Sequence, residues 1–244
     1  MAEQAFNDVQ FIAGSFDFSG HGNSMELTYG AELIEATPFN LGFHNRIPGY
    51  ESFEGNLQGF LNDATAVDEW LEANLGVRGE PLSVAPNVGT TGNLCYLTNI
   101  VNGTYNFGGP VGDPGTFTFE FSSGGPTVRL VRGFSLDKLN LTATVDGSGV
   151  DVGAVSATQT LYAALHCTRW GGTTTSVDVL IESDAGDTWA GAETTRFTFA
   201  QLTDIGSEWM SLGPGAITDT WYRATFTVAG AAPDVDVFVS LGIK

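Results

Sequence analysis

Ser19-Gly20-His21-Gly22-Asn23-Ser24 sets a serine and a histidine close together, the pair from which nucleophilic hydrolysis is built. That chemistry also needs a sharp turn that presents the nucleophile and a carboxylate that orients the base. No Gly-x-Ser-x-Gly elbow is present, and glycine-flanked Ser and His between strands are ordinary turn formers. His166-Cys167 carries two metal-ligating types, but within a strand adjacent side chains point to opposite faces and do not easily share one ion. His44 stands without a partner. Asp184-Ala185-Gly186-Asp187 offers oxygens suited to calcium without the ligand register of a calcium loop, and so reads as a turn. Asp178 and Glu182 share a strand face only by alternation, with nothing to hold a sugar between them. No glycine run precedes a helix with Lys-Ser or Lys-Thr, so there is no phosphate loop. The residues therefore predict no catalytic group, no cofactor and no metal ion.

The elements that would position any site are strands. Thr116-Phe117-Thr118-Phe119-Glu120-Phe121 alternates large apolar with small polar side chains. The pattern returns as Arg196-Phe197-Thr198-Phe199 and as Ala224-Thr225-Phe226-Thr227-Val228. A period of two buries one strand face and wets the other, as in an antiparallel sandwich. Further strands are expected at Val9–Ala13, Ser24–Tyr29, Leu33–Ala36, Glu54–Leu61, Leu94–Val101, Val128–Phe134 and Leu139–Val145. In the second half they are expected at Thr160–Thr168, Val177–Ser183, Glu208–Leu212, Thr220–Val228 and Val235–Leu241. Gly171-Gly172 and Gly230–Pro233 are among the turn signals between them. One helix is expected at Ala66–Leu75, with Thr65 as N-cap, Asp68 completing an approximate capping box and Gly76 closing it. Its apolar stripe is Val67, Trp70, Leu71 and Leu75.

The chain has 244 residues, enough for one large β domain or two smaller ones. Two are expected, residues 1–134 with the helix and residues 135–244, each a β-sandwich. The formal charge of −19 excludes a sequence-independent nucleic-acid binder, which needs clustered Lys and Arg. The start lacks a basic segment followed by an apolar one, which predicts no secretory signal and synthesis in a cytoplasm. Cys95 and Cys167 fall one in each half and are expected to be unpaired, partly buried small residues. Five tryptophans, four of them in the second half, raise a carbohydrate-binding or adhesion sandwich as a rival reading.

Two stretches resemble the major tail tube proteins of long-tailed (siphovirus-type) bacteriophages and related tailed viruses. The first is Ser19–Leu27 with Gly30-Ala31-Glu32-Leu33, Ala36-Thr37-Pro38-Phe39 and Ile47-Pro48-Gly49-Tyr50…Gly55-Asn56-Leu57. The second is Ala154–His166, Ile181-Glu182-Ser183-Asp184, Thr194–Phe199, Ile217–Arg223 and Phe238–Ile243. The resemblance implies a β-sandwich flanked by a helix, subunits in stacked rings, and a structural virion protein rather than an enzyme. A chain with two such domains would form a trimeric ring of six domains; longer subunits would form a hexamer. The second half shows no counterpart of the 66–75 helix and could instead be an accessory sandwich.

The same resemblance implies assembly in the host cytoplasm and a place in the virion tail. It also implies contacts with tape-measure, tail terminator and distal tail proteins, and DNA passing through without specific binding. The acidic balance fits such a conduit, because carboxylates repel a passing phosphate backbone. The polar loop Asn40–Tyr50 supplies the expected ring-stacking residues: Phe43, His44, Arg46, Ile47 and Tyr50. Which acidic residues would face the bore is not legible from sequence. A capsid decoration protein is a third reading compatible with an acidic all-β chain.

Overall fold

The computed structural model describes residues 8–36, 46–61, 67–87, 90–124, 130–189, 191 and 193–244. In chain order the first elements are β1 (Gln10–Ala13), β2 (Phe16–Asp17), β3 (Gly22–Glu35), β4 (Arg46–Phe60), α1 (Val67–Ala73), β5 (Arg78–Ala85), β6 (Leu94–Gly108) and β7 (Thr116–Ser123). They are followed by β8 (Val131–Leu141), β9 (Val145–Asp146), β10 (Val150–Asp151), β11 (Leu161–Asp184), β12 (Thr194–Thr198), β13 (Gly206–Leu212) and β14 (Trp221–Ile243). The fold is all-β with one short helix among the described residues, as the alternation predicts. It divides into two units, Met1–Gly20 with Gly79–Asn99 and Val131–Lys244, and His21–Arg78 with Ile100–Leu130.

This division differs from the expected linear split at residue 134. The reason is pairing. β5 joins β1 in antiparallel register, and Leu94–Leu97 of β6 pair with β8, so residues from the first half of the chain build the unit that holds the second half. Strand β6 then continues to pair with β7 from Ile100 onward, in the other unit.

The larger unit orders its strands β12-β11-β14-β8-β6-β5-β1-β2, with β13 also on β11 and the short β9 and β10 on β14. Its spine is β11 against β14, two very long strands in place of the four shorter ones expected. The glycine signals proved to be bends. Gly172 lies opposite Pro233 and Thr174 opposite Gly230, with register shifts between Gly172 and Thr174 and between Thr174 and Ser176. Gly172 has φ 63° and Gly230 φ 136°, values that side-chain-bearing residues rarely adopt. The pair of strands thus bulges and carries on instead of reversing. Inward residues Leu161, Leu165, Val179, Ile181, Phe197, Phe199, Phe226 and Val239 form the core, so both second-half Thr-Phe strings bury their phenylalanines.

Asp137 on β8 is a buried acid with an incomplete set of partners. Its Oδ1 accepts a hydrogen bond from Thr91 Oγ1 at 3.1 Å, while Oδ2 is buried with none, against Gly147. Burial pushes its carboxyl up to about 6. A folded pKa raised above the unfolded one means that the charge costs stability at neutral pH and that this cost is relieved as pH falls through about 6 toward 3.8. Asp137→Asn is expected to stabilise the protein by about 1–2 kcal/mol at pH 8, with the gain vanishing near pH 4. Urea midpoints at the two pH values check it.

The smaller unit is a sheet ordered β3-β4-β7-β6 with α1 on its apolar side. Phe117, Phe119 and Phe121 are buried, as are Phe53 and Leu57 across from them. Full burial of each phenylalanine contributes about 1.5–3 kcal/mol. The helix buries Val67 and Leu71, and Trp70 sets its ring edge-on to Phe119 at 6.2 Å between centroids. It is shorter than expected. It ends at Ala73, and the Asn74 side chain donates to Trp70 O at 2.8 Å, leaving Leu75 exposed. Gly76, φ 77°, turns the chain and donates its N–H to Asn102 O. The expected N-cap Thr65 and first residue Ala66 lie outside the described residues.

Candidate assembly surface

The strand alternation that buries the phenylalanines of β7 puts a different set of side chains on the opposite face of the same sheet. Strand register aligns them in rows. Glu26 on β3 pairs with Asn56 on β4, Asn56 with Glu120 on β7, and Glu120 with Thr104 on β6. The row on one side is Ser24, Gln58, Thr118 and Asn106. The row on the other is Thr28, Glu54 and Ser122, ending on Val101. Adjacent strands stand about 4.8 Å apart, so Glu26 and Glu120 are held about 10 Å from each other with Asn56 between them. All three glutamates are exposed and line a shallow depression of about 460 Å³ together with Asn56, Thr104 and Thr28. No Lys or Arg occupies any of these positions.

Both lateral margins of this sheet are open among the described residues. Strand β3 pairs with β4 alone, and β6 beyond Asn102 pairs with β7 alone. An unpaired strand edge is a template for another strand, so two open edges on one sheet allow copies to join side by side.

The β3–β4 hairpin also carries an exposed apolar end. Leu33 pairs with Pro48, and Ile34 with Ile47. Leu33, Ile34, Ile47 and Tyr50 are 59%, 43%, 48% and 86% exposed, four large apolar side chains gathered at one end of one hairpin. Arg46 and Glu35 lie 3.9 Å apart beside them, a solvent-exposed pair of little energetic weight. Of the expected stacking residues, the structure therefore brings Arg46, Ile47 and Tyr50 onto one hairpin, and Phe43 and His44 lie outside the described residues. The expected loop is a strand from Arg46 onward. Pro48-Gly49 looks like a turn in sequence, but a two-stranded arm exposed on both faces tolerates both residues.

The residues that suggested chemistry are committed elsewhere. Ser19 Oγ contacts Asp17 and accepts from the Phe11 N–H. Asp187 accepts from the Trp189 indole at 2.7 Å, Glu182 from Arg223 at 3.0 Å, and Asp178 from Gln201 at 3.0 Å. Cys95 and Cys167 are free and buried. Among the described residues no group of three His, Cys, Asp or Glu side chains could hold a metal ion, and no helix is long and apolar enough to cross a membrane. All five tryptophans are half-buried; Trp189 lies over the Arg223 guanidinium at 4.4 Å, and Trp170 and Met210 pack on the larger core.

No family model matches the chain, and no curated protein sequence matches it. Solved structures give fold likenesses. A chain in the virion of a native gene transfer agent particle is 12% identical with a TM-score of 0.42, covering 52% of this chain and 98% of that one. A chain in the tail of an empty gene transfer agent particle, refined with C6 symmetry, is 12% identical with a TM-score of 0.43 and the same coverage. The SPP1 Dit protein, described as a paradigm of hub adsorption apparatus in phages infecting Gram-positive hosts, is 12% identical with a TM-score of 0.37, covering 96% of this chain and 98% of that one.

Proposed function

We propose that the chain is a structural subunit of a virus tail, without catalytic activity, which self-assembles into stacked rings forming the tail tube. The observation that carries this reading is the smaller unit's sheet. One face is closed by its core and helix, the other shows three rows, polar except for Val101 at one end, whose only charges are carboxylates, and among the described residues β3 and the part of β6 beyond Asn102 are open margins. Side-by-side pairing of β3 from one copy with the free part of β6 from the next would close the margins into a wall. Glu26, Glu54 and Glu120 would then face the bore, where they repel phosphates and let DNA slide.

In this reading the hairpin end with Arg46, Ile47 and Tyr50, extended by Phe43 and His44, meets the next ring. The ring is a hexamer or a trimer of double-domain subunits, and tape-measure, terminator and distal tail proteins are the further partners that the sequence resemblance implies. The tube-like domain is the smaller unit, and the larger unit is the accessory one.

Negative-stain electron microscopy of the concentrated protein tests the reading. Hollow filaments or rings are expected, and particles that stay monomeric at every concentration and salt overturn it. Ile47→Ala with Tyr50→Ala is expected to shorten the filaments severalfold while rings persist. Unchanged filament length removes the hairpin from the ring-to-ring contact.

A further inference from the structure

Buried near the N-terminal end of β11, His166 is used by nothing described so far. Its Nδ1 lies 2.7 Å from the Gly14 carbonyl oxygen, and its Nε2 lies 2.8 Å from Ser83 Oγ, which is 2.8 Å from Ser240 Oγ. A carbonyl only accepts, so Nδ1 carries the proton and Nε2 accepts from Ser83, whose oxygen accepts in turn from Ser240. One neutral imidazole thus ties the β1–β2 turn and β5 to β11 and β14. The neighbouring residue, Cys167, points the other way into the large core, whereas Cys95 lies on the His166 side in a small cluster with Ile12, Ala85 and Phe238.

We propose that His166 is an acid-sensitive latch: its protonation releases β1, β2 and β5 from the sheet while the core on the far side of β11 stays closed. A proton on Nε2 removes the acceptor that Ser83 uses and puts a charge where no water reaches. Burial holds the imidazole down to about 4, against 6.5 when exposed, with the Gly14 hydrogen bond and the Asp17 carboxylate on β2 acting weakly the other way. Other ionisable groups on this side are Glu80 on β5, raised by burial and hydrogen-bonded to Ser207, and Cys95 on β6, pushed up to about 12 by burial. Lys138 on β8 donates to Gln10, and Arg169 pairs with Asp236. A folded pKa below the unfolded one means that docking is favoured above pH 6.5 and weakens as pH falls from there toward 4. The cluster around Cys95 is small, so the segment opens at lower cost than the large core.

The two cysteines report the two sides. The full-length protein is labelled with a pyridyl disulfide, which reacts at acid pH, and each site is read by peptide mass mapping against a free thiol at the same pH. Corrected labelling of Cys95 is expected to rise on the order of a hundredfold between pH 7 and pH 4, with Cys167 remaining slow. A flat Cys95 rate, or a parallel rise at both cysteines, overturns the latch. His166→Gln keeps hydrogen-bonding groups near Ser83 without titrating, and its Cys95 rate is expected to be flat with pH. A retained rise in that variant also overturns it. Should His166→Gln not fold, the contrast between Cys95 and Cys167 in the native protein decides alone.

Discussion

Gly59→Val is expected to lower the stability of the smaller unit by about 3 kcal/mol, more than any single substitution on its polar face. Gly59 pairs with Phe117 on β7 and with Gly22 on β3, and the His21 carbonyl that accepts the Phe60 N–H lies where a side chain at position 59 would project. A Cβ at this position would stand 2.6 Å from the Phe117 ring edge and closer still to the His21 carbonyl oxygen. The ring could turn aside, but the carbonyl belongs to the backbone and could move only by giving up its hydrogen bond. Gly30→Ala on the exposed part of β3 has no heavy atom within 4 Å of the new methyl and is expected to shift the midpoint by less than about 0.5 kcal/mol. Urea denaturation of the two variants, followed by the fluorescence of Trp70 packed on Phe119, separates the outcomes. Equal midpoints would show that β4 and β7 do not pair in this register.

That register explains what could be read from sequence and what could not. Alternation fixes the face on which each residue lies, so the buried Phe117, Phe119 and Phe121, and the buried Phe197 and Phe226, were all legible from their threonine neighbours. Alternation says nothing about which strand lies alongside. Gly171-Gly172 and Gly230–Pro233 have the composition of a chain reversal, yet they face one another across β11 and β14 and bend both strands together. Only the presence of a partner strand of equal length distinguishes the two outcomes, and that partner is remote in sequence. The same limit hid the interleaved units, because the pairing of Leu94–Leu97 with β8 depends on residues beyond the expected boundary.

The candidate surface was less legible still. Glu26, Asn56 and Glu120 are unremarkable in their separate segments and become a row only when β3, β4 and β7 align. Net charge announced an acidic protein without saying where the acid would gather. Ile47 and Tyr50 could be selected as exposed apolar residues, since no alternating pattern places them in a core. Their pairing with Ile34 and its neighbours, which makes the site an arm instead of a loop, came from β3, whose own residues read as two short strands.

Reversing the charge of the polar face should turn a surface that carries only carboxylates into one that holds DNA. In Glu26→Lys/Glu54→Lys/Glu120→Lys each subunit exchanges three carboxylates for three ammonium groups on exposed positions, so the apolar face and the helix contacts are untouched. Three new phosphate contacts would give a slope of about −2.7 for log affinity against log salt, where the native protein is expected to give no binding. Unassembled subunits of the variant are expected to bind linear and circular DNA alike, because the face is then open to both. Assembled tubes are expected to discriminate. A short linear duplex can thread an open end and reach a face that lines the bore, whereas a closed circular plasmid cannot, so tubes should retain the first and release the second. Filter retention across a salt series measures both. Equal retention of plasmid and linear duplex by assembled tubes would place the carboxylate rows on the outside and sink their assignment to the bore.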